Sequence, residues 1–492
     1  MKHVDQRRSR RKVFLLVLDA TPITFLQENM STLPNIGALL RNGRVVKTRS
    51  SADLFSASSW QTFASGLMPG EQGHYFPLQW DPRTMKFIPI KENALPFEPF
   101  WDAFGRNCAK TIVFDAMSVP LNKEAPGIQI INWNTQSNFA ASSNRPEILR
   151  HIKRRFGKKP IGDEIPVKKS RRALAQVRNQ LIRSTKLKTE AMLWLMQDFD
   201  WTCFITGYFE GHRAGHNLWP LWEDFSSDPP EGAMLDVYQE IDSQIGRLLG
   251  ALDLSETAFV LLSMHGMKAG YAQDHFLPAI MDRINRLYLS GHGHHVPRAG
   301  DGLARLLRQT VPASVQLHVR KLVGQNIQDL LVDREWRGGK NWATTPAFPV
   351  PGGGDVGFIR LNLQGRERDG FLSGEGAHAE YLDFLCKQLK DLRVTRTNQT
   401  LVEKIALSRD EFPGPYNYLL PDVLVTWNPD YPATEIWSKE LGTITATLKT
   451  GRGGNHTGDS FAVFAGAIGA LDVLPPVSHV RDYKQFLQRY LA

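Results

Sequence analysis

The chain has 492 residues, of which 42% are hydrophobic and 22% are charged, the composition of an ordinary globular protein with one large core or two domains. Its apolar runs are short and interrupted, and this pattern excludes a transmembrane span. Lys and Arg outnumber Asp and Glu by 59 to 50, giving a net charge of +9 that favours anionic ligands or partners.

A basic tail over 1–12 precedes the first apolar run. That run covers only 13–18 and ends in Asp19, so it is too short for the apolar region of a signal peptide and lacks a small-residue cleavage site. We therefore expect a first β-strand there. The three cysteines, Cys108, Cys203 and Cys386, show no paired spacing, which argues against disulfides and a thiolate zinc site and favours a reducing, cytoplasmic setting.

Strand-like apolar runs recur along the chain, with helix-length stretches between them. They lie at 13–18, 111–114, 127–131, 201–206, 257–262 and 461–465. This alternation predicts an α/β fold with a doubly wound, largely parallel sheet flanked by helices. We expect one domain over 13–492, with a helical, basic insertion at about 147–199 and a helical cap segment at about 271–342.

Much of the basic excess lies between Arg150 and Lys188. Such a segment could contact nucleic acid or an anionic membrane surface, but aromatic residues that would stack on bases are nearly absent from it. A solvated helical surface is the better interpretation, and we expect no specific nucleic-acid binding.

Residues of the metal-ligand type stand beside the ends of the predicted strands. The carboxyl ends of parallel strands meet at the edge where open α/β sheets bind ligands. An Asp ends the first run, a His follows the run at 257–262, a His-x-x-x-His spacing follows the run at 201–206, and another His precedes the run at 461–465. Taken one at a time, the Asp could be a helix cap and each His could be a structural residue. The inference therefore rests on the position that all of them share, at the ends of strands. The candidate ligands are Asp19, His212, His216, His265 and His456.

Residues 53–66 are predicted to form a loop that opens a helix, with several hydroxyl side chains in its first turn. A serine there has free backbone N–H groups and the positive end of the helix dipole beside it, which favour an alkoxide or a bound phosphate. Such a serine is a candidate nucleophile, and a simple N-cap is the alternative interpretation.

The order of these motifs resembles the alkaline phosphatase superfamily, and within it the type I phosphodiesterase and nucleotide pyrophosphatase branch. Besides the strand-end residues, the resemblance is carried by the run Ser-Gly-Leu-Met-Pro-Gly-Glu-Gln-Gly-His over 65–74 and by Gly-His-Asn-Leu-Trp over 215–219. It implies a two-metal site with Ser56 as the nucleophile, or Ser58 or Ser59 if the loop registers differently. One ion would bind Asp19, Ser56 and His265, and the other would bind His212, His216 and His456.

Two positions depart from the family pattern, and each lacks a carboxylate. His212 and Met264 stand where Asp residues are expected. His212 can still bind a metal, and the resulting three-His set suits zinc, with manganese as an alternative, whereas the thioether of Met264 is a poor ligand. We therefore expect one or two divalent ions. Glu210 is a candidate outer-shell or substitute ligand, and Asp242 could orient a ligand or form a surface salt bridge.

Together, the residues and the resemblance predict a metal-dependent phosphoester hydrolase, a phosphodiesterase rather than a monoesterase, that uses Ser56 as its nucleophile. With only the three-His ion, Ser56 would instead position the phosphate. The expected substrate is a phosphorylated small molecule, a glycan or a lipid-linked metabolite. A phospho-group transferase and a non-catalytic relative that binds phosphorylated ligands are the alternatives.

Overall fold

Strands and helices alternate along the computed structural model, which describes residues 12–90, 94–106, 110–137, 139–163, 169–219, 229–270, 272–294, 341–354, 356–428, 433–446, 451–467 and 476–491. In chain order the strands are β1 (Lys12–Leu18), β2 (Arg44–Arg49), β3 (Leu78–Asp81), β4 (Lys86–Pro89), β5 (Thr111–Ala116), β6 (Ile128–Ile131), β7 (Ser142–Ser143), β8 (Cys203–Tyr208), β9 (Thr257–Ser263), β10 (Gly266–Ala269), β11 (Ala347–Val350), β12 (Val356–Leu361), β13 (Arg393–Val394), β14 (Val402–Leu407), β15 (Val423–Trp427), β16 (Glu435–Ser438), β17 (Gly442–Thr445), β18 (Gly454–Thr457) and β19 (Asp459–Gly466). The α-helices are α1 (Ile23–Glu28), α2 (Pro34–Asn42), α3 (Ala52–Phe55), α4 (Ser59–Ser65), α5 (Pro69–Gln72), α6 (Phe100–Arg106), α7 (Pro146–Arg155), α8 (Arg171–Asp198), α9 (Glu210–Leu218), α10 (Ala233–Gly250), α11 (Leu277–Gly291), α12 (Gly374–Lys390), α13 (Ser408–Glu411) and α14 (Tyr483–Leu491).

An eight-stranded sheet contains all six strands that the sequence predicts. Its strand order is β2-β19-β9-β1-β8-β5-β6-β7, and β1 pairs in parallel with both β8 and β9. Because β1, β5, β8 and β9 are covered on both faces, their residues are nearly all buried and mostly apolar, as is typical of parallel strands in α/β proteins. The predicted α/β fold with a largely parallel sheet is confirmed.

The two margins of this sheet are antiparallel, which the sequence did not predict. Strand β19 pairs antiparallel with β9 and with β2, and β7 pairs antiparallel with β6. Strands β18 and β19 follow one another and run back along β10 and β9, since Gly266 pairs with Thr457 and Ser263 pairs with Phe461. This antiparallel return brings residues just before β19 to the ligand-binding edge.

The segment at 147–199 contains helices α7 and α8, and both belong to the same compact unit as the sheet. Helix α8 begins after Ser170, whose side chain accepts a hydrogen bond from the Ala173 N–H, as an N-cap serine does. The buried face of α8 packs against α9 and α10. These helices therefore support α9, which follows β8 directly.

The chain divides into two compact units, and the predicted single domain over 13–492 with its insertions includes parts of both. The first unit comprises Met1–Met68, Lys91–Ala269 and Gly451–Ala492, and the second comprises Pro69–Ile90 and Gly270–Thr450. The second unit has its own four-stranded sheet, in the order β11-β12-β15-β14, and its own apolar core. Of the predicted cap at 271–342, residues 272–294 include α11, and 271 and 295–340 lie outside the described residues. No helix in the described part of the chain is long and apolar enough to cross a membrane.

Candidate metal centre

Three central strands deliver their following residues to one edge of the large sheet. Asp19 comes directly after β1, and α9 begins two residues after β8. The parallel register pairs Leu18 with Tyr208 and Val17 with Leu262, so the three chain exits lie side by side. This is the edge where α/β sheets bind ligands.

The fourth contribution to this edge comes from the antiparallel return of the chain. His456 lies on β18, which pairs antiparallel with β10, and its register partner is Met267. Since β10 follows His265 directly, the pairing brings His456 next to the residues after β9. The structure thus brings together all five candidate ligands that the sequence singles out, Asp19, His212, His216, His265 and His456.

Three imidazoles converge through the same ring nitrogen. The Nε2 atom of His212 lies 3.0 Å from Nε2 of His216 and 2.9 Å from Nε2 of His456. The His-x-x-x-His spacing achieves this on α9, because residues four apart lie on one face of a helix. We call His212, His216 and His456 the three-His group.

In two members of the three-His group, the other ring nitrogen, Nδ1, forms a hydrogen bond that fixes the ring. His212 Nδ1 lies 2.6 Å from Asp19 Oδ2, and His216 Nδ1 lies 2.9 Å from the Gly454 carbonyl oxygen. Both oxygens act as acceptors, so each Nδ1 carries the proton. A neutral ring with its proton on Nδ1 presents the Nε2 lone pair, and the outer hydrogen bond fixes the ring orientation.

A second group lies around the carboxylate and shares His212 with the first. One ligand-type atom from each of Asp19, His212 and His265 falls within 4.8 Å of the others. Asp19 is fully buried and His265 is nearly so. Met264, at the position where the family pattern has a carboxylate, belongs instead to the main apolar core and is fully buried.

The donor set fits a divalent cation. Asp19 Oδ1 is buried and has no hydrogen-bond partner among the described residues. Burial, and after it the nearby Arg452, lower the pKa of His216 well below its ordinary value, so this ring is neutral near pH 7. Neutral imidazoles that converge through their lone pairs are the donors that Zn²⁺ prefers, because each can donate an electron pair without first losing a proton.

The Asp19 carboxyl is ionised in this environment. Burial alone would raise its pKa, but His212, acting through charge and through the hydrogen bond, outweighs burial, and His265 and His456 add to the effect. The pKa of Asp19 is therefore lowered from its ordinary value. Asp19 is the one carboxylate among the five candidate ligands, so it supplies their only negative charge.

The candidate nucleophile follows a short helix that packs against the strand of His456. Helix α3 packs against β18, and Ser56 follows α3 directly as the first residue of a short 3₁₀ turn. The neighbouring hydroxyls are committed to the backbone, since Ser58 Oγ donates to the Phe55 carbonyl at 2.8 Å and Ser59 Oγ donates to the Ser56 carbonyl at 2.9 Å. No hydrogen bond of Ser56 Oγ is found within the described residues. This geometry favours Ser56 over the two alternatives.

Glu210 does not reach the metal-ligand groups. Its Oε1 accepts hydrogen bonds from Ser184 at 2.6 Å and from Asn134 at 3.0 Å, and its Oε2 accepts from the Phe209 N–H at 3.0 Å. Burial raises its pKa against the opposing effect of Lys188. The carboxylate therefore anchors the beginning of α9 instead of substituting for a missing ligand.

Asp242 also has a structural role, since its side chain binds the beginning of α2. Its two oxygens accept from the backbone N–H groups of Asn35 and Ile36 at 3.3 and 2.7 Å, and its Oδ2 accepts from the Asn35 side chain at 3.0 Å. These are N–H groups of the first turn of α2, which have no partner within the helix. Asp242 therefore caps α2, and neither the ligand-orienting role nor the surface salt bridge is observed.

Two residues of the candidate site were missed by sequence reasoning. Gly454 supplies the carbonyl that holds His216, and the Gly453 N–H donates to the His216 carbonyl at 2.9 Å. The paired glycines just before His456 were the available signal, because Gly in a strand often marks a close backbone approach.

Comparison with known proteins places this geometry in a family. The model of the family described as type I phosphodiesterase / nucleotide pyrophosphatase matches residues 13–459. The chain belongs to this family. The resemblance that the motifs predict is therefore confirmed over nearly the whole chain. A search of curated proteins gives no match.

Solved structures with the same fold share little sequence with this family member. Phosphonoacetate hydrolase from Sinorhizobium meliloti 1021 in complex with phosphonoformate matches with a TM-score of 0.53 and 13% identity, over 98% of this chain and 96% of that one. The same hydrolase in complex with phosphonoacetate gives a TM-score of 0.51 and 14% identity, over 98% and 96%. These likenesses confirm the predicted alkaline phosphatase-like fold.

Proposed function

We propose that this protein is a metal-dependent phosphoester hydrolase that prefers diesters and uses Ser56 as its nucleophile. The observation that carries the proposal is the convergence of three imidazole Nε2 atoms. The helix that ends before Ser56 packs against the strand of His456, one of the three. Membership of a family of phosphodiesterases and nucleotide pyrophosphatases supports phosphodiesters and pyrophosphates as the substrate class.

His212, His216 and His456 would hold the ion, and zinc is the metal that three imidazoles favour. When bound, a divalent ion supplies Lewis acidity that offsets the charge of the phosphoryl oxygens. Asp19 and the Gly454 carbonyl keep the Nε2 atoms of His212 and His216 turned inward.

The reaction proceeds in two steps, attack by Ser56 and then attack by water. The Ser56 hydroxyl attacks phosphorus, loses its proton and displaces one ester oxygen, which leaves as an alcohol after taking up a proton. Water then attacks the phosphorus of the seryl phosphodiester, which still carries the second ester group, releases the phosphomonoester and restores the Ser56 hydroxyl. Ser58 and Ser59 cannot replace it without giving up their hydrogen bonds to the backbone.

The substrate we propose is a phosphorylated small molecule, with a glycan or a lipid-linked phosphate as the wider class. Arg452 is near enough to lower the pKa of His216, so it adds positive charge beside the three-His group. Positive charge around a site draws anionic substrates inward.

The test is hydrolysis of bis-p-nitrophenyl phosphate and p-nitrophenyl phosphate by the zinc-loaded protein, beside Ser56→Ala and Ser59→Ala. We expect faster cleavage of the diester, a loss on the order of 10³-fold or more in Ser56→Ala, and a change of a few-fold at most in Ser59→Ala. Acid quenching of a slow diester should trap on Ser56 a phosphoryl group that still carries the second ester group, detectable by peptide mass spectrometry.

Full activity in Ser56→Ala would show that Ser56 is not the nucleophile. Product formed on an added alcohol in preference to water would identify a transferase. Zinc binding without turnover of either ester would favour the non-catalytic, phospho-ligand-binding relative.

A further inference from the structure

Asp19 contacts His212 directly. The 2.6 Å between Asp19 Oδ2 and His212 Nδ1 is the length of a charge-assisted hydrogen bond. Two ligand atoms that share one zinc ion each lie about 2.0 Å from it, and at a tetrahedral angle they stand roughly 3.3 Å apart. The oxygen and the nitrogen are therefore too close together to be joint ligands of one ion.

The Nε2 atoms of the three-His group have the complementary geometry. Their measured separations of 3.0 and 2.9 Å are close to the spacing that a shared zinc ion requires. A single imidazole that gives its Nε2 lone pair to this ion and its Nδ1–H to Asp19 has no atom left for a second ion. His212 therefore counts as a ligand in only one of the two groups.

The second group is left incomplete when His212 is assigned in this way. Its remaining donors are one oxygen of Asp19 and a ring nitrogen of His265. Met264 contributes to the apolar core, and its thioether is a ligand that Zn²⁺ and Mn²⁺ seldom select. The Ser56 hydroxyl, which the family resemblance adds to this group, is a weak donor until it loses its proton. The two donors that are ready to bind fall short of the three that a catalytic zinc site keeps.

We propose that the centre binds a single metal ion, with Nε2 of His212, His216 and His456 as its protein ligands, and that Asp19 is a positioning residue that acts through His212. The sequence alone leaves one or two ions open and makes Asp19 a direct ligand. With one ion it also allows Ser56 to position the phosphate instead of attacking it, and the intermediate trapped on Ser56 in the test of the proposed function distinguishes these two roles. The inference deepens the proposed function, on which it rests for the reaction, but the ion count itself does not depend on turnover.

Asp19 acts as a positioning residue instead of a ligand because position 212 carries an imidazole in place of a carboxylate. A carboxylate at that position would bind a metal without an outer partner, whereas an imidazole must have its tautomer and ring plane fixed. The nearest fixed acceptor is Asp19, 193 positions away in the chain and fully buried. The substitution of His for Asp therefore removes one carboxylate from the ligand set and recruits another to hold the new ring.

The experiment is a titration of the full-length, metal-stripped protein with Zn²⁺, with affinity measured by chelator competition and stoichiometry by mass spectrometry. It compares wild type with Asp19→Asn, His265→Ala and His456→Ala. Co²⁺ loading supplies an independent readout, because its visible spectrum reports the number and type of ligands.

We expect one ion in wild type, one in His265→Ala, and no tight ion in His456→Ala. Asp19→Asn should still bind one ion, but about 10- to 100-fold more weakly, the range for loss of an outer-shell partner. Its Co²⁺ spectrum should keep the intensity of a four-coordinate site, since no ligand is removed.

Two ions in wild type, with one lost in Asp19→Asn and one lost in His265→Ala, would overturn the inference, and so would the absence of bound zinc in wild type. Zinc bound at one per chain without ester hydrolysis would leave the inference standing and refute the proposed function alone.

Discussion

The backbone of Gly454 lies directly against that of Gly215. A β-carbon added at Gly454 would stand 2.6 Å from the Gly215 carbonyl oxygen, closer than real side chains come. Gly215 precedes His216 on α9, and Gly454 lies two residues before His456 on β18. The absence of a side chain at Gly454 therefore sets how closely the strand that carries His456 approaches the helix that carries His212 and His216.

We predict that Gly454→Ala weakens zinc binding without removing any ligand. The added methyl group would push β18 away from α9 and separate His456 from its two partners, at a cost on the order of 10-fold or more in affinity, measured by chelator competition. Gly376→Ala is the matched control, because a β-carbon at Gly376 meets nothing within 4 Å. That control should bind zinc like wild type, and equal affinity in both variants would show that the glycine contact is unimportant.

Met264→Leu should leave metal binding unchanged. The side chain of Met264 is fully buried in the main apolar core, and exchanges between Leu and Met of similar volume usually cost less than about 1.5 kcal/mol of stability. Zinc affinity within two-fold of wild type is the expected result of the same competition assay. A loss of the ion in this variant would mean that the thioether is a ligand.

Much of the site could be predicted because its residues follow apolar strands. The run that becomes β1 ends at Asp19, and those that become β8 and β9 lead to the histidines, so parallel pairing alone brings these residues to one edge. The ring nitrogens used by His212 and His216 could not be predicted. They depend on acceptors 193 and 238 positions away, and nothing in the local sequence encodes that distance.

The role of Glu210 was unpredictable for a similar reason. A carboxylate two residues before His212 has the position of a substitute ligand, and only the packing of α8 and of the loop after β6 supplies Ser184 and Asn134 as its partners. The antiparallel return through β18 and β19 was equally hidden, because an apolar run indicates a strand without giving its direction.

Removing one partner of the buried ion pair between Lys188 and Asp115 should lower stability strongly. Lys188 Nζ lies 2.6 Å from Asp115 Oδ2, and neither side chain is exposed. Lys188→Met would leave the Asp115 carboxylate buried without its cation, so we expect a loss of about 3–5 kcal/mol in the free energy of unfolding, measured by urea titration.

Two further variants make the Lys188 prediction specific. Adding Asp115→Asn to Lys188→Met removes the unpaired charge and should recover part of the loss. Lys110→Met breaks a pair of equal length with Asp200, but both of its side chains are largely exposed, so no measurable change is expected. Equal effects at the two pairs would contradict the view that burial decides their contributions.

His74, in the second unit, should make stability depend on pH between about 6.5 and 4. Burial lowers the pKa of His74 to about 4, from an ordinary value of 6.5. Below pH 6.5 the unfolded chain takes up a proton that the folded chain refuses until about pH 4, so stability is complete above 6.5 and falls as the pH is lowered. At 1.36 kcal/mol per pKa unit, the loss at pH 4 is about 3 kcal/mol.

The measurement is the free energy of unfolding in urea at pH 7 and pH 4.5, for wild type and for His74→Gln, which carries no titratable ring. Other groups lower the stability of both proteins in acid. The expected result is therefore that the free energy of unfolding falls less between pH 7 and pH 4.5 in His74→Gln than in wild type. An identical pH dependence in the two proteins would show that His74 takes up its proton in the folded state as readily as in the unfolded state. Because the His74 side chain is only 2% exposed, that result would require the second unit to open around it.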